Sequence, residues 1–179
     1  MPSYSDLCET VSLFEGSPIR VSPLQWLKGI GNQPSSYWDP MSWGHDANRG
    51  IILQGGPGPT GGLGFGATGV GTAISNAQAA IGTGTSWNHV AYVRDASSTI
   101  AYVNGVQVAS NSHTSVPIIN MPSWGVLIGS DPIGRPFHGC IDEVKVFNTA
   151  LSAADVVRYG FNAGDKIMHQ GELVGWVAQ

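Results

Sequence analysis

Charged residues are scarce in this sequence. Asp, Glu, Lys and Arg make up only 11% of its 179 residues, against about 25% in an ordinary soluble domain. Only 8 residues are Lys or Arg, and the formal net charge is −4. Affinity for a nucleic-acid backbone depends largely on Lys and Arg, so the composition argues against nucleic-acid binding. A surface with so little charge favours association, and we therefore expect other protein subunits to cover part of it.

Long hydrophobic runs and cysteines are also lacking. The apolar stretches are strand-sized and are interrupted by Gly or a charge, so we expect no membrane-spanning segment, no membrane partner and no signal peptide. The only cysteines are Cys8 and Cys140. Two interpretations stay open for this pair: two free buried thiols, or one disulfide, which would indicate an oxidising compartment.

Glycine and proline are abundant instead, with 25 and 11 residues, which indicates a chain with many tight turns. The clearest turn is Asn104-Gly105, which separates the β-branched and aromatic runs 99–103 and 106–109. Asn-Gly between two apolar runs is the strongest local signal for a β-hairpin, because both central residues of a type I′ turn need positive φ. A third run of the same kind, residues 87–94, precedes them.

The segment after the hairpin contains two further predicted strands and a helix. Residues 124–129 predict a buried strand, and residues 137–147 predict another. A short helix is predicted over Ser152–Tyr159, with Ser152 as the N-cap, Asp155 in the first turn and Gly160 as the terminator.

The order of these motifs resembles the laminin G-like, pentraxin-like branch of the concanavalin A-like lectin/glucanase superfamily. The shared motifs are a Trp-x-His-Val-Ala strand from Trp87, a Tyr-Val-Asn-Gly hairpin, an apolar strand ending in Ile-Gly, a Phe-x-Gly-x-Ile-Asp-Glu-Val strand from Phe137, and Ala-Leu-Ser. The resemblance implies an all-β fold, a two-sheet antiparallel jelly-roll sandwich with one short helix. We expect a single domain over residues 1–179, in which residues 161–179 are a C-terminal extension with an extra strand.

Both ends of the chain depart from the family pattern. Residues 7–14 alternate as a strand should and are similar to a family strand that another strand normally precedes. Leu173–Ala178 resembles that missing opening strand. Because natural sheets avoid a long unpaired edge, we expect Leu173–Ala178 to fill the sheet position beside residues 141–147. It would do so within the chain or by exchange with a neighbouring copy, which would build an oligomer.

The segment 16–50 contains the best candidate for a contact surface. Residues 24–30 and 49–54 predict strands, and residues 32–49 predict a long exposed loop between them. The candidate ligand or interface residues in this loop are Tyr37, Trp38, Asp39, Trp43, His45 and Asp46. Aromatic faces beside carboxylates suit sugar rings, and Trp and Tyr are also enriched in protein interfaces. A third interpretation is that these aromatics fold back over the core.

No metal or cofactor is expected, although calcium stays a weak alternative. Calcium sites occur in the family that the sequence resembles, and Ca²⁺ needs six to eight oxygen ligands. The candidate carboxylates Asp39, Asp46 and Asp131 are scattered along the chain. Asp39 and Asp131 each precede a proline, so both also fit the role of turn initiators.

The sequence shows no convincing catalytic motif. Residues 64–69 match G-x-G-x-x-G, but no helix-forming run follows them, so dinucleotide binding is not expected. The superfamily also contains glycoside hydrolases, which need two carboxylates about 5–9 Å apart. Asp142 and Glu143 are neighbours on one predicted strand, so we expect them to face opposite sides. His89 belongs to the strand motif and is predicted to be a core or sheet residue.

These features favour a non-enzymatic recognition or assembly module. We expect a structural or adhesion subunit of a larger surface assembly, such as a phage virion, located at an extracellular or virion surface. Glycan binding is an added role in this interpretation. The alternative is a soluble carbohydrate-binding lectin, and a glycoside hydrolase-like enzyme comes third.

Overall fold

The computed structural model describes residues 20–30, 37–43, 51–56, 63–67, 70–74, 86–114, 126–161, 166–169 and 172–176. These residues form twelve strands and one helix. In chain order they are β1 (Ser22–Gly29), β2 (Trp38–Trp43), β3 (Ile51–Gly55), β4 (Leu63–Ala67), β5 (Val70–Ile74), β6 (Asn88–Arg94), β7 (Ser98–Val103), β8 (Val106–Ser112), β9 (Leu127–Ile128), β10 (Gly139–Phe147), α1 (Ala153–Gly160), β11 (Lys166–His169) and β12 (Glu172–Trp176).

Two five-stranded antiparallel sheets enclose the core. Sheet A has the strand order β10-β1-β6-β7-β8, and sheet B has the order β5-β4-β3-β2-β9. The Tyr92 hydroxyl crosses between the sheets and donates a hydrogen bond to the Leu63 carbonyl over 2.7 Å. The buried side chains of the shared core include Val21, Leu27, Val90, Tyr92, Trp38, Met41, Leu53 and Leu63. The predicted all-β, two-sheet antiparallel sandwich with one short helix is therefore confirmed.

The hairpin β7–β8 turns at the predicted Asn-Gly pair. Asn104 has φ of 50° and Gly105 has φ of 78°, as a type I′ turn requires. The Asn104 side chain also accepts a hydrogen bond from the His89 N–H over 2.8 Å and donates one to the Asn88 side chain over 3.1 Å. The turn residue therefore ties the hairpin to the neighbouring strand β6.

Helix α1 covers the outer face of sheet A, which is the face turned away from sheet B. Its capping box is reciprocal, because the Ser152 hydroxyl accepts from the Asp155 N–H and the Asp155 carboxylate accepts from the Ser152 N–H. The buried residues between α1 and the outer face are Leu24, Ala91, Val93, Tyr102, Leu151 and Val156. The predicted helix is confirmed. No helix in the described ranges is long and apolar enough to cross a membrane.

The prediction of an exposed loop over residues 32–49 is wrong for residues 38–43. Trp38–Trp43 form β2, and all six residues are buried, because β3 and β9 pair with this strand on its two sides. Pro40 lies between Trp38 and Met41, where the pairing with β3 shifts register. A proline has no N–H to donate, so a strand tolerates it at such an irregularity.

Strand β9 is shorter and more exposed than predicted. The buried strand expected at residues 124–129 is limited to Leu127–Ile128 among the described residues, at the edge of sheet B. Val126 is 42% exposed and Ile128 is 56% exposed. An edge position leaves one side of the strand open, which explains why the apolar pattern did not predict burial correctly.

The C-terminal strand does not occupy the predicted position. β12 pairs with β11 in a two-stranded sheet of its own, and β1 is the strand that lies beside β10. The prediction that Leu173–Ala178 fills the place beside β10 within the chain is therefore wrong. Exchange of this strand with a neighbouring copy stays a prediction. The predicted strand 7–14 and the predicted helical turn 77–80 lie outside the described residues.

Cys140 is a free and exposed thiol on β10. One interpretation of the sequence placed this residue in a disulfide, and the other placed it in the core as a buried thiol. The thiol is exposed because β10 is an edge strand of sheet A. Its predicted partner Cys8 lies outside the described residues.

Replacement of Gly55 by Ala tests the packing of sheet B. A Cβ at Gly55 would overlap the indole ring of Trp38, and this ring is buried at 1% exposure. We expect Gly55→Ala to lower the free energy of unfolding by about 3 kcal/mol, at the upper end of the cost of overpacking, as measured by urea denaturation. Gly134→Ala is the matched control, because its φ is +81° and an added Cβ meets nothing within 4 Å. It should lose only the left-handed backbone cost of about 1 kcal/mol, and equal losses in both variants would contradict the predicted overlap.

Candidate functional site

The structure brings together two predicted metal candidates, Asp39 and Asp131, but around a guanidinium group. The Arg135 Nε lies 2.9 Å from an Asp39 carboxylate oxygen and 2.9 Å from an Asp131 carboxylate oxygen. Asp131 also accepts hydrogen bonds from the backbone N–H groups of Ile133 and Arg135, as a turn initiator does. In the described part of the chain, no group of three or more His, Cys, Asp or Glu residues could hold a metal ion.

The buried carboxylate of Asp39 has a structural role in this cluster. Desolvation raises the pKa of Asp39 to about 6, although the Arg135 charge and a hydrogen bond from Gln54 act in the opposite direction. The Asp39 N–H also donates to the Arg135 carbonyl over 3.0 Å. Side chain and backbone together therefore fasten β2 to the segment that follows β9.

The aromatic candidates of the predicted loop differ in how exposed their side chains are. Trp38 is 1% exposed and Trp43 is 6% exposed, so both occupy core positions, as the third interpretation of the sequence described. Tyr37 is 49% exposed. His45 and Asp46 lie outside the described residues. Among the described candidates, only Tyr37 presents a large surface to solvent.

A different site lies on the outer face of sheet A, between β10 and the end of α1. It is a pocket of about 450 Å³, within the range of about 300–1,000 Å³ that ligand pockets usually have. Its lining combines aromatic rings with four charged side chains: Trp26, Trp87, Asp142, Glu143, Lys145, Arg158, Tyr159, Gly160 and Phe161. We call it the outer-face pocket.

A β-bulge in β10 assembles the charged wall of the outer-face pocket. Leu24 and Trp26 are two residues apart on β1, whereas their partners Lys145 and Asp142 are three residues apart on β10. In a regular strand, residues 142 and 145 would face opposite sides, but the additional residue of the bulge puts both on the outer face. Glu143 has a φ of +52° in this bulge. Asp142 and Glu143 both line the pocket, so the prediction that they face opposite sides is wrong.

Lys145 joins the two walls of the pocket. Its ammonium group donates to the Glu143 carboxylate over 2.7 Å and to the Tyr159 carbonyl of α1 over 2.8 Å. Asp142 accepts the Glu143 N–H through one carboxylate oxygen over 2.8 Å. The second oxygen of Asp142 has no hydrogen-bond donor among the described residues and can accept one from a ligand.

The aromatic floor of the pocket fixes the end of α1 on the sheet. The Trp26 Nε1–H donates to the Gly160 carbonyl over 3.0 Å. The rings of Trp26, His89 and Phe161 pack together with centroid distances of 5.0–5.4 Å. A Cβ at Gly160 would overlap the His89 ring, so a glycine is required where the helix ends. His89 is buried, as predicted.

Two aromatic rings remain accessible beside this floor. Trp87 is 41% exposed and Tyr159 is 36% exposed. The Tyr159 ring is held from one side by Phe147, at a centroid distance of 4.8 Å, and the Arg158 guanidinium lies 5.6 Å from its centroid. The pocket therefore offers exposed ring surface, carboxylate acceptors and ammonium or guanidinium donors within one site.

Comparison with known proteins gives a consistent family and fold. The family model of the concanavalin A-like lectin/glucanases superfamily matches residues 31–157, well over half of the chain. Among solved structures, the chain is similar to a candidate carbohydrate-binding protein from Bacteroides ovatus ATCC 8483, with 21% identity and a TM-score of 0.64. That match covers 80% of this chain and 41% of the other, so this chain spans less than half the length of that protein.

Two further solved structures are similar over most of the chain. Domain 4 of the extracellular GH43 arabinanase AbnA from Geobacillus stearothermophilus, in complex with arabinotriose, has 18% identity and a TM-score of 0.56, covering 82% of this chain and 69% of the other. A heptameric SAP-like pentraxin from Limulus polyphemus has 17% identity and a TM-score of 0.62, covering 89% and 77%. No curated protein sequence matches the chain. At these identities the likeness shows the fold.

The pH dependence of stability tests the burial of His89 beneath the pocket. Desolvation, assisted by the Lys145 charge, lowers the pKa of His89 from 6.5 to about 4. Above pH 6.5 both the folded and the unfolded imidazole are neutral. Between pH 6.5 and 4 only the unfolded chain takes up the proton, so stability is lost as the pH falls. The loss is about 1.4 kcal/mol per pH unit and about 3 kcal/mol in total.

Asp39 acts in the opposite direction, because its raised pKa contributes stability that is lost as the pH rises through about 6. The measurement therefore compares two proteins: urea denaturation gives the free energy of unfolding of the wild type and of His89→Gln, each at pH 7 and at pH 4. Asp39 contributes equally to both proteins, and the wild type should lose about 3 kcal/mol more than the variant on acidification. A difference that does not change with pH would contradict the burial of a neutral His89.

Substitutions at Glu143 test the bulge that assembles the pocket wall. The φ of +52° costs a residue with a Cβ about 1–2 kcal/mol, and the exposed ion pair with Lys145 is worth about 0–1 kcal/mol. We expect Glu143→Gly to stay within about 1 kcal/mol of the wild type, and the β-branched Glu143→Val to lose about 2 kcal/mol. Glu143→Gln is the control, because it removes the charge and keeps the side-chain length. Equal unfolding free energies for the Gly and Val variants would argue against a left-handed residue at this position.

Proposed function

The chain belongs to the concanavalin A-like lectin/glucanase superfamily, and from that premise we propose that it is a carbohydrate-recognition module that binds a glycan in the outer-face pocket without cleaving it. Family and fold alone do not assign a ligand, because one fold serves many functions. The proposal depends on the chemistry of the pocket. Its central observation is that the accessible rings of Trp87 and Tyr159 lie beside hydrogen-bonding side chains in one cavity.

Sugars need both kinds of contact that this pocket offers. The C–H face of a pyranose or furanose ring stacks on an aromatic ring, while the hydroxyl groups at its rim form hydrogen bonds. Trp87 and Tyr159 provide ring surface, and Asp142 and Lys145 provide an acceptor and a donor. The carbohydrate-binding description of the Bacteroides ovatus protein and the arabinotriose bound to the arabinanase domain support the same ligand class.

The carboxylates of the pocket do not have the arrangement of a glycosidase. A hydrolase places its two carboxylates on opposite sides of the scissile bond, whereas Asp142 and Glu143 are adjacent residues of one strand. The Glu143 carboxylate is also bound by the Lys145 ammonium over 2.7 Å. Binding without hydrolysis is therefore the activity that the site supports best.

Membership of a surface assembly, such as a phage virion at an extracellular or virion surface, stays a separate prediction. It includes self-association through Leu173–Ala178, and calcium at the predicted carboxylates is likewise a prediction. The structural feature that favours a protein partner is a set of exposed aliphatic side chains with exposures of 59, 42, 56 and 55%: Ile30, Val126, Ile128 and Ile133. Such side chains suit a protein contact better than a sugar, so this role would use a surface other than the outer-face pocket.

The Trp87→Ala variant tests the proposed site. A glycan array selects an oligosaccharide that the wild type binds, and titration calorimetry then measures its affinity. We expect Trp87→Ala to weaken binding at least about 10-fold, because an aromatic contact residue typically contributes more than about 1.4 kcal/mol. Tyr37→Ala is the matched control. Tyr37 is an aromatic residue of similar exposure that the sequence analysis proposed as a contact residue, but it does not line the outer-face pocket.

Three results would contradict the proposal. The first is a wild type that binds no glycan on the array. The second is loss of binding in Tyr37→Ala with full binding in Trp87→Ala, which would move the site to the start of β2. The third is release of new reducing ends from the bound oligosaccharide on long incubation, which would make the protein a hydrolase.

A further inference from the structure

We propose that the outer-face pocket selects neutral glycans and rejects acidic ones, with Asp142 as the specificity-determining acceptor of sugar hydroxyl groups. This inference rests on the proposed function and specifies the ligand class of the same pocket. It follows from which charged groups of the pocket already have partners within the protein.

Each cation of the pocket already lies near an anionic or aromatic group of the protein. The Lys145 ammonium is held by the Glu143 carboxylate and the Tyr159 carbonyl. The Arg158 guanidinium lies against the Tyr159 ring. Its charge also acts on Asp155 of the same helix: a hydrogen bond from Ser152 lowers the pKa of Asp155, and Arg158 adds to this shift. An acidic sugar would have to compete with the Glu143 carboxylate for Lys145 and with the charge of Asp155 for Arg158.

Asp142 is in a different situation. It forms no ion pair with any described residue, and its contact within the described ranges is the hydrogen bond that one carboxylate oxygen accepts from the Glu143 N–H. It is exposed and lies directly across from Trp26 in the pairing of β1 with β10. Cross-strand neighbours have Cβ atoms about 4.5–5.5 Å apart, so the carboxylate adjoins the aromatic floor, where the rim of a bound sugar ring would lie.

A neutral sugar fits this distribution of charge. Its hydroxyl groups donate to the Asp142 carboxylate in charge-assisted hydrogen bonds, which are stronger than neutral ones. The carboxylate of a uronic acid would meet Asp142 as a like charge. The formal charges of Asp142, Glu143, Lys145 and Arg158 sum to zero, so no net field in the pocket compensates for this repulsion.

The bulge gives Asp142 this role. With a regular β10, Asp142 and Lys145 would lie on opposite faces of sheet A, and the pocket would contain only one of them. The left-handed backbone at Glu143 allows the acceptor and the engaged cation to share the outer face. A backbone conformation that costs energy in a residue with a Cβ is retained here at the position that builds the polar wall.

The test compares oligosaccharides that share a backbone and differ in charge. Suitable probes are β-1,4-linked glucose and glucuronate oligomers of equal length, together with the neutral glycan that the array selects and its uronic counterpart. We expect the wild type to bind the neutral member at least about 10-fold more tightly than the acidic member, the ratio that corresponds to 1.4 kcal/mol. Higher ionic strength should raise the affinity for the acidic member, because salt screens the like-charge repulsion.

The Asp142→Asn variant isolates the proposed residue. It should bind the neutral glycan about 10-fold less tightly, the loss expected for a hydrogen bond to a charged group. Its affinity for the acidic counterpart should stay equal or rise, so the ratio of the affinity for the neutral glycan to that for the acidic glycan should fall. Asp142→Glu keeps the charge and should keep the rejection of acidic sugars. Unchanged thermal unfolding of both variants checks that the fold is intact.

The outcomes separate this inference from the proposed function. If the wild type binds glycans but prefers acidic ones, or if Asp142→Asn leaves the ratio unchanged, the inference is wrong and the recognition role stands. If the wild type binds no glycan of any charge, both are wrong.

Discussion

The antiparallel pairing of β1 with both β6 and β10 is the constraint on which core and pocket depend. Val21 and Leu27 point from this segment into the shared core, whereas Leu24 packs beneath α1. Trp26 forms the floor of the outer-face pocket and holds the end of α1 through its indole N–H. A shift of β1 by one residue would exchange its two faces, so the sandwich and the pocket are specified by the same register.

Local sequence rules were sufficient to predict the elements whose turn or cap is formed by neighbouring residues of the sequence. Asn104-Gly105 supplies two positive φ angles, and Ser152 with Asp155 supplies a capping box, whatever surrounds them. β2 was missed because its strand character depends on its two neighbours in sheet B, while Pro40 and the polar residues around it indicate a loop. The bulge was missed because Glu143 has no preference for positive φ, and only the pairing with β1 reveals the additional residue.

The site could not be predicted from a local motif, because its residues come from separate stretches of the sequence that only the fold brings together. Aromatic and acidic residues are close in sequence at Trp38-Asp39, and this proximity predicted an exposed contact surface where the structure buries both side chains. Such a composition does not distinguish an exposed ligand site from a buried ion pair. Asp39 contacts Arg135, a residue almost one hundred positions away, and that contact converts a candidate ligand into a core cross-link.

The scarcity of charge, the first property of the sequence, bears directly on recognition. Five of the charged residues in the described ranges form ion pairs within the protein, in the Asp39–Arg135–Asp131 cluster and between Glu143 and Lys145. The sequence has only 8 Lys and Arg residues against 12 Asp and Glu residues, so little positive charge is present to attract an anionic ligand over a distance. In the proposed function, affinity comes instead from ring stacking and short hydrogen bonds, which suits a ligand with apolar faces and a hydroxylated rim. Neutral sugars have this combination, and Asp142 lies on the outer face, where it can accept hydrogen bonds from that rim.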